Sequence, residues 1–588
     1  MSEEWILGIN TYHGDSAACL LHRGELIAKA EEERFRRIKH WAGFPSQAIQ
    51  YCLKTANISL NQIGILAINS DPKANFFKKI NYILRNKPSL NFILDRLKNH
   101  KARFSIEREL SETFPKEKFQ GKIGRIEHHL SHLSSAFFAS PFEEALVLSV
   151  DGFGDFTSCA WGVGKNNEID IKGKIYFPHS LGAFYQAMTQ YLGFPHFGDE
   201  YKVMGLAPYG KPRFINEMKE IVKLKEDGMF ELNLEYFCFQ KKEFSYTWKE
   251  GMPHSSKMYS ERLCELLGPA REPQEIISDK HRDIACSIQY RYEEAFFHLL
   301  NQLCKIYPLE NLAFAGGCAM NSVANGKIIG RTNLKKIYIP AAAGDAGGAV
   351  GAALLAWKKT EEGKKEKKNQ LIQHAFWGPA FSDKEIETLL KEYKVALEKE
   401  NCSIERFSEE GLLCEHTARA IAQGSVVGWF QGRMEWGPRA LGNRSILGDP
   451  RRQDMKDILN LKIKRRESFR PFAPSILREA VLDWFEVEDD VPFMMQVFKI
   501  RQAKRSIIPA VTHVDGTGRL QTVHQDTNPR YYHLISAFKT LTQIPLLLNT
   551  SFNENEPVVC KPIEALHCFL RTKMDVLVLG DYFLCRKN

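Results

Sequence analysis

The stretch "WILGINTYHGDSAACLLHRGELIAKAEEE", residues 5–33, decides the fold because the chain repeats it. It reads as an apolar strand, a polar glycine-containing turn, a second strand, an "HRGE" turn and a third strand. The second copy, "ALVLSVDGFGDFTSCAWGVGKNNEIDIKGKI", residues 145–175, keeps that order. In each copy the first strand ends in a short amide or acid, Asn10 or Asp151. A glycine and an aspartate follow (Gly14 and Asp15; Gly154 and Asp155), and small hydroxylated residues open the next strand. One hairpin of this kind is commonplace. Two matched ones constrain the fold, because backbone N–H groups in glycine turns make anion-binding nests.

Two such turns facing phosphates from opposite sides are what the duplicated ribonuclease-H-like core of the actin-like ATPase superfamily requires. That α/β core also needs a late glycine motif on the adenosine side. "NLAFAGGCAMNSVANGKI" supplies it, with a strand over 311–315 and then Gly316 and Gly317 at a helix start. "YIPAAAGDAGGAVGAAL" follows, with Asp345 in a glycine loop opening a helix. Glycine admits close backbone approach, and a helix N-terminus favours phosphate. Between hairpin and glycine motif, Ile284, Ile288, Tyr292, Ala295, Leu299 and Leu303 recur at helical spacing and read as a core face.

"IEHHLSHLSSAFFAS", residues 126–140, lies just before the second hairpin. His128 and His132 share one face of a helix, and His129 points about 100° away. The pair reads either as metal ligands or as solvated imidazoles at a capped helix start. Asp151 ends the strand that follows, and Asp345 sits in the late loop. Two imidazoles and two carboxylates would make a mixed site suited to iron, zinc or manganese.

With 588 residues and 44% hydrophobic content the chain has room for two to four domains. A net charge of +9 is mild at this length and suits anionic small substrates as well as nucleic acid. The 13 cysteines include no C-x-x-C, so a zinc ribbon and a disulfide framework are not indicated, and reduced thiols in a cytoplasm are expected. "MSEEWILGIN" has acids where a signal peptide needs basic residues, and no apolar run is long enough to span a membrane. "WKKTEEGKKEKKNQ", residues 357–370, reads as a solvated linker. The expected domains are therefore 1–357 and 371–588, joined by a linker over 358–370.

"EHHLSH", "SVDGFGD", "DEYKVMGLAPYGKP", "FAGGCAMNSVANGK" and "GDAGGAVGAAL" resemble the first domain of bacterial O-carbamoyltransferases of the NodU and CmcH type, which is similar to TsaD. The resemblance implies that His128, His132, Asp151 and Asp345 hold a metal, commonly Fe²⁺, beside an adenylate phosphate. It implies adenylate contacts from Gly316, Gly317 and Asn321, and "EEERFRRIKH" adds Lys39 as a phosphate contact. Residues 73–120 and 213–280 match least and are expected to shape acceptor choice.

Beyond the linker, "GWFQGRMEWGPRALGNRSILGDPR", "KIKRRESFRPFAPSIL", "DGTGRLQTV" and "LLLNTSFNENEPVV" resemble the YrdC-like α/β C-terminal domain of the same family. Arg433, Arg439, Arg444, Lys464, Arg466, Arg470 and Arg519 stand among turn and strand residues, a setting that suits a polyanionic substrate. Aromatic–arginine alternation for stacking on single strands is not sustained, so nucleic acid is not expected. Motif by motif, the resemblance assigns ATP and carbamoyl phosphate to Arg439, Lys464, Arg470, Arg519, Asn549 and Ser551.

The family's chemistry implies that ATP, accompanied by Mg²⁺, and carbamoyl phosphate yield carbamoyl adenylate in the second domain. The first domain then transfers the carbamoyl group to a hydroxyl of a small-molecule acceptor. His13, on the first glycine turn, is the candidate general base, against the alternative of a loop histidine that only contacts phosphate. Two other classes stay open, an actin-like small-molecule kinase and a non-catalytic partner in tRNA modification. A homodimer is compatible with this reading, which leaves the acceptor unnamed.

Overall fold

Both glycine-turn hairpins form, and each nucleates a sheet of the same plan. In the first, β1 (Trp5–Asn10), β2 (Ala17–His22), β3 (Glu25–Glu31), β4 (Ile65–Ile68) and β5 (Lys122–Arg125) stand in the order β3-β2-β1-β4-β5. In the second, β6 (Glu144–Gly154), β7 (Thr157–Lys165) and β8 (Glu168–Tyr176) form the meander. Two small hairpins intervene, β9 (Val222–Leu224) with β10 (Phe230–Leu232) and β11 (Tyr246–Lys249) with β12 (Met252–Ser255). Then β13 (Asn311–Ala315) and β14 (Lys336–Tyr338) complete the order β14-β13-β6-β7-β8. In both sheets the meander is antiparallel, and the two later strands run parallel to its first strand. This is the duplicated ribonuclease-H-like core of the actin-like ATPase superfamily, as expected.

The structure, a computed structural model, describes residues 4–86, 106–241, 244–366 and 369–587. Residues 87–105, part of the weakly matching stretch 73–120, therefore lie outside the described residues. The chain divides into two units. Unit 1 comprises Met1–Asn321 and Lys327–Ile372; unit 2 comprises Gln373–Asn588 with the short stretch Ser322–Gly326.

Within unit 1 the His128–Phe137 helix packs on the Asp345–Lys358 helix. Small residues set their spacing: a Cβ on Gly351 would lie 1.8 Å from Ser131 O, and one on Gly8 of β1 would lie 2.1 Å from Ala349 O. Several glycines of "GDAGGAVGAAL" thus serve helix packing and not a nucleotide. The apolar stripe Ile284 to Leu303 is buried along the Asp279–Ile306 helix, as its spacing predicts.

The expected boundary moves. The late helix runs to Lys358, whose side chain is buried, and Trp357 Nε1 donates to Glu366 Oε2 at 2.8 Å. Asn369 Nδ2 donates to Phe137 O and Phe142 O at 3.0 and 2.9 Å, and Ile372 N donates to Ala139 O. The described part of 358–370 is therefore fastened onto unit 1, and the division falls after Ile372. Charge composition misleads here because Lys358 of this run is buried on its stem and Trp357 is buried beside it.

Unit 2 is built on a nine-stranded mixed sheet. Its strands are β15 (Cys402–Arg406), β16 (Val427–Phe430), β17 (Arg444–Gly448), β18 (Ala473–Leu477), β19 (Gln496–Lys499), β20 (Thr517–Val523), β21 (Leu546–Ser551), β22 (Val576–Leu579) and β23 (Tyr582–Arg586). Apolar residues of β16, β17, β18, β21 and β22 make its core with the helices Glu410–Ala422, Pro529–Thr542 and Pro562–Arg571. Among the described residues no helix is long and apolar enough to cross a membrane. All 13 cysteines are free thiols.

Candidate functional site

The His128–Phe137 helix starts deep in unit 1. Glu127 caps it by accepting from Leu130 N at 2.8 Å, and Asp155 Oδ2 accepts from His128 N at 3.0 Å. The imidazoles of His128, His129 and His132 are buried, which removes the solvated reading. His129 turns aside onto Ser149 Oγ at 2.9 Å, and burial pushes it down to about 4, so it is neutral.

His128 and His132 face Asp151 and Asp345. Their Nε2 atoms are 3.0 Å apart. His128 Nε2 lies 3.1 Å from Asp151 Oδ2 and 3.5 Å from Asp345 Oδ1; His132 Nε2 lies 3.4 and 3.6 Å from the same oxygens. Ligand bonds of about 2.1 Å place donor atoms about 3.0 Å apart at a right angle and about 3.4 Å apart at the tetrahedral angle. The spacing and the N₂O₂ donor chemistry thus fit a divalent transition ion. Burial opposes charge on both carboxyls, but hydrogen bonds from His128 and His132 outweigh it and hold Asp151 well below the usual carboxylate range. Asp345 is lowered in the same way.

Packing fixes the donors. A Cβ on Gly154 would overlap the His128 ring at 2.0 Å. Asp151 Oδ1 accepts from Gly317 N at 2.8 Å, and its carbonyl accepts from Ser180 Oγ at 2.8 Å. Gly316 turns with φ 92° where a Cβ would lie 2.3 Å from Val150 O. The glycine motif therefore closes directly onto the carboxylate. Asn321 makes a reciprocal amide pair with Gln289, at 3.0 and 3.1 Å. The His13 ring stands 5.0 Å from that of His128, so the first glycine turn reaches the tetrad. Asn10 Nδ2 tightens that turn by donating to Gly14 O and Asp15 O at 3.0 and 3.1 Å. Lys39 is half-buried on the loop after the Glu33–Arg36 helix.

Unit 2 carries the cations. Burial and the charges of Arg439, Arg466 and Arg470 push the Arg519 guanidinium well below its ordinary value, which marks the four as neighbours. Like charges gathered this way are stabilised by a polyanion. Other members of the expected set do different work. Arg444 is fully buried, donates to Pro379 O at 3.0 Å and lies over the Phe430 ring at 3.6 Å. Arg433 donates to Trp377 O at 2.6 Å. Both hold backbone carbonyls of the segment at 377–379. Lys464 is buried, and its Nζ donates to Asn553 O and Oδ1 at 2.7 and 2.6 Å and to the Ser551 carbonyl. Burial and nearby arginines push Lys464 well down. Ser551 Oγ donates to Asn553 Oδ1 at 2.8 Å, and Asn549 Nδ2 donates to Ser475 Oγ and Gln521 Oε1 at 2.9 and 3.0 Å.

Glu435 has no role in the reading of the sequence. It is buried, and its Oε1 accepts from the backbone of Leu441, Asn443 and Arg444 at 2.8, 2.8 and 3.1 Å. The loop that presents Arg439 is wrapped around this carboxylate. Its signal in the sequence is a lone acid inside the basic run "GRMEWGPRALGNR".

A duplicated ribonuclease-H-like unit with a buried N₂O₂ tetrad, followed by an α/β unit with clustered arginines, defines a two-unit class of protein. The comparisons with known proteins name it. The family profile described as "Carbamoyltransferase N-terminus" matches residues 5–354, and "Carbamoyltransferase C-terminus" matches residues 418–586. The chain belongs to the carbamoyltransferase family. It is 41% identical to the uncharacterized protein sll1178 of Synechocystis sp., over 99% of this chain and 96% of that one. It is 38% identical to nodulation protein NolNO of Sinorhizobium fredii, over 98% of this chain and 80% of that one. It is 32% identical to the 3'-hydroxymethylcephem-O-carbamoyltransferase of Amycolatopsis lactamdurans, over 46% of this chain and 48% of that one.

Proposed function

We propose that the protein is an ATP-dependent O-carbamoyltransferase that works through carbamoyl adenylate. In unit 2, carbamoyl phosphate takes up water to give phosphate and carbamate. A carbamate oxygen attacks the α-phosphorus of Mg²⁺-bound ATP, and pyrophosphate leaves. Arg439, Arg470 and Arg519 neutralise the charge that grows on the phosphates, and Glu435 holds the Arg439 loop in place. Lys464, Asn549 and Ser551 complete the set that binds ATP and carbamoyl phosphate.

In unit 1, Lys39 and the backbone at Gly316 and Gly317 hold the phosphate of the adenylate, and Asn321 orients its nucleoside. His128, His132, Asp151 and Asp345 would hold a divalent ion, Fe²⁺ or a related metal, which when bound supplies Lewis-acid polarisation. The acceptor hydroxyl attacks the carbamoyl carbon, His13 takes its proton, and AMP leaves. The acceptor is a small molecule with an accessible hydroxyl, the chemistry in the printed name of the cephem relative.

The observation that carries this reading is the convergence of His13 with the buried tetrad in a chain of this family. The experiment is to incubate the protein with ATP and follow pyrophosphate. Release only when carbamoyl phosphate is present is expected. Formation of ADP and a phosphorylated sugar would overturn it in favour of a kinase.

A further inference from the structure

Two loops of unit 1 turn through left-handed backbone at residues other than glycine. Tyr12 (φ 58°) and Asp15 (φ 57°) flank His13, and Arg37 (φ 60°) and His40 (φ 55°) flank Lys39. Such conformations persist only where surrounding contacts over-determine them, and here those contacts run from loop to loop. Ser16 N donates to Trp41 O at 2.7 Å. His40 Nδ1 lies 2.7 Å from Asp15 Oδ1, and the His40 backbone N–H donates to Glu33 Oε2 at 2.8 Å. Arg34 holds the other Glu33 oxygen at 2.8 Å. On the remaining side a third segment closes in: a Cβ on Gly198 (φ 85°) would lie 2.3 Å from His40 Nε2. The Phe197 ring meets His40 edge-on at 5.3 Å and also abuts Gly14, where a Cβ would lie 2.8 Å from it.

We propose that His40 is a positioning residue for carbamoyl transfer: bridging Asp15 and Glu33, it fixes the His13 loop against the Lys39 loop. The proposal rests on the transfer reading of unit 1. His13 must meet the acceptor hydroxyl while Lys39 meets the phosphate, and a displacement of about 1 Å between such groups costs about a hundredfold in rate. Asn10 tightens the turn from within, and Ser16 ties its far end to Trp41 O and Gly43 O, while the imidazole ties the Asp15 side chain to the second loop.

The groups facing the ring are all acidic: Asp15 from the first turn, Glu33 from the short helix and Glu200 from the Glu200–Leu206 helix. Of the cations nearby, Arg34 is paired with Glu33 at 2.8 Å and Lys202 with Asp199 at 2.9 Å, and Lys39, next in the chain, acts on the Glu33 carboxylate. Burial opposes the imidazolium, yet Asp15, then Glu33 and Glu200, outweigh it and push His40 up to about 9. The bridge is thus charged at neutral pH and weakens as pH rises through that value.

The test compares full-length wild type, His40→Gln and Asp15→Asn in two measurements. The first needs no substrate: peptide-level hydrogen–deuterium exchange at neutral pH over residues 11–16 and 37–41. His40→Gln is expected to speed exchange in both loops at least about tenfold, with the strands of both sheets unchanged. The second follows AMP release from supplied carbamoyl adenylate, water serving as acceptor, from neutral to alkaline pH. Wild type is expected to lose rate with a midpoint near 9, and Asp15→Asn to lose it about a unit earlier. His40→Gln is expected to lower kcat at least about tenfold with little change in KM and to show no such midpoint. Its pyrophosphate release from ATP and carbamoyl phosphate is expected to stay unchanged. Unaltered exchange in both loops of His40→Gln, or one alkaline midpoint shared by all three proteins, would overturn the proposal. A wild type that releases no AMP would instead refute the transfer reading, and the exchange measurement still decides the bridge.

Discussion

At the scale of single residues, His132 and His13 separate two kinds of evidence. His132 is buried with a full set of ligand-spaced neighbours, and its i,i+4 relation to His128 was legible in the sequence. We expect His132→Ala to bind far less than one equivalent of transition metal by elemental analysis while circular dichroism shows an intact fold. Full metal content in a His128→Ala/His132→Ala double variant would end the metal assignment. His13 stands beside the tetrad but its proton transfer is a matter of kinetics. His13→Asn keeps size and hydrogen bonding yet cannot take a proton near neutrality, so transfer should slow by about a hundredfold or more. Pyrophosphate formation should be unaffected, and near-normal transfer would reduce His13 to a phosphate contact. Lys464 shows what packing adds to a motif. The resemblance makes it a substrate contact, and the packing, which no spacing in the sequence foretells, shows that its protons are held by Asn553 and Ser551.

At the scale of elements, the turn motifs carried the most information. Asn10, Asp15, Asp151 and Asp155 each tie a hairpin turn to something distant in sequence, which is why the two copies look alike. The helix glycines were misleading for the converse reason, since close helix packing and close nucleotide approach both demand a missing Cβ. The start of the Glu200–Leu206 helix yields a prediction about pH. Burial pushes the Glu200 carboxyl up from an ordinary 4.5 to about 7. A carboxyl whose folded value is raised contributes stability fully present below 4.5 that is lost as pH rises through about 7. Glu200→Gln mimics the protonated form. It should leave the thermal midpoint unchanged in acid and raise it above neutrality. An equal effect at every pH, or a lower midpoint in alkali, would contradict the burial argument.

At the scale of the whole molecule, the sequence motifs fell into two groups, and the structure assigns the groups to two units. Composition set the start of the second unit at 371, two residues before Gln373, but read 358–370 as a solvated linker where Lys358 is buried and Glu366 accepts from Trp357. The account's central claim is a division of labour in which unit 2 makes an intermediate that unit 1 consumes. Arg439→Ala tests it most directly, because Arg439 stands in unit 2 on the loop wrapped around the Glu435 carboxylate. Its AMP release is measured first from ATP with carbamoyl phosphate and then from supplied carbamoyl adenylate. The account predicts loss of at least about a hundredfold in the first case and near-wild-type release in the second. Failure of the supplied intermediate to restore release, in a variant whose circular dichroism matches wild type, would contradict it.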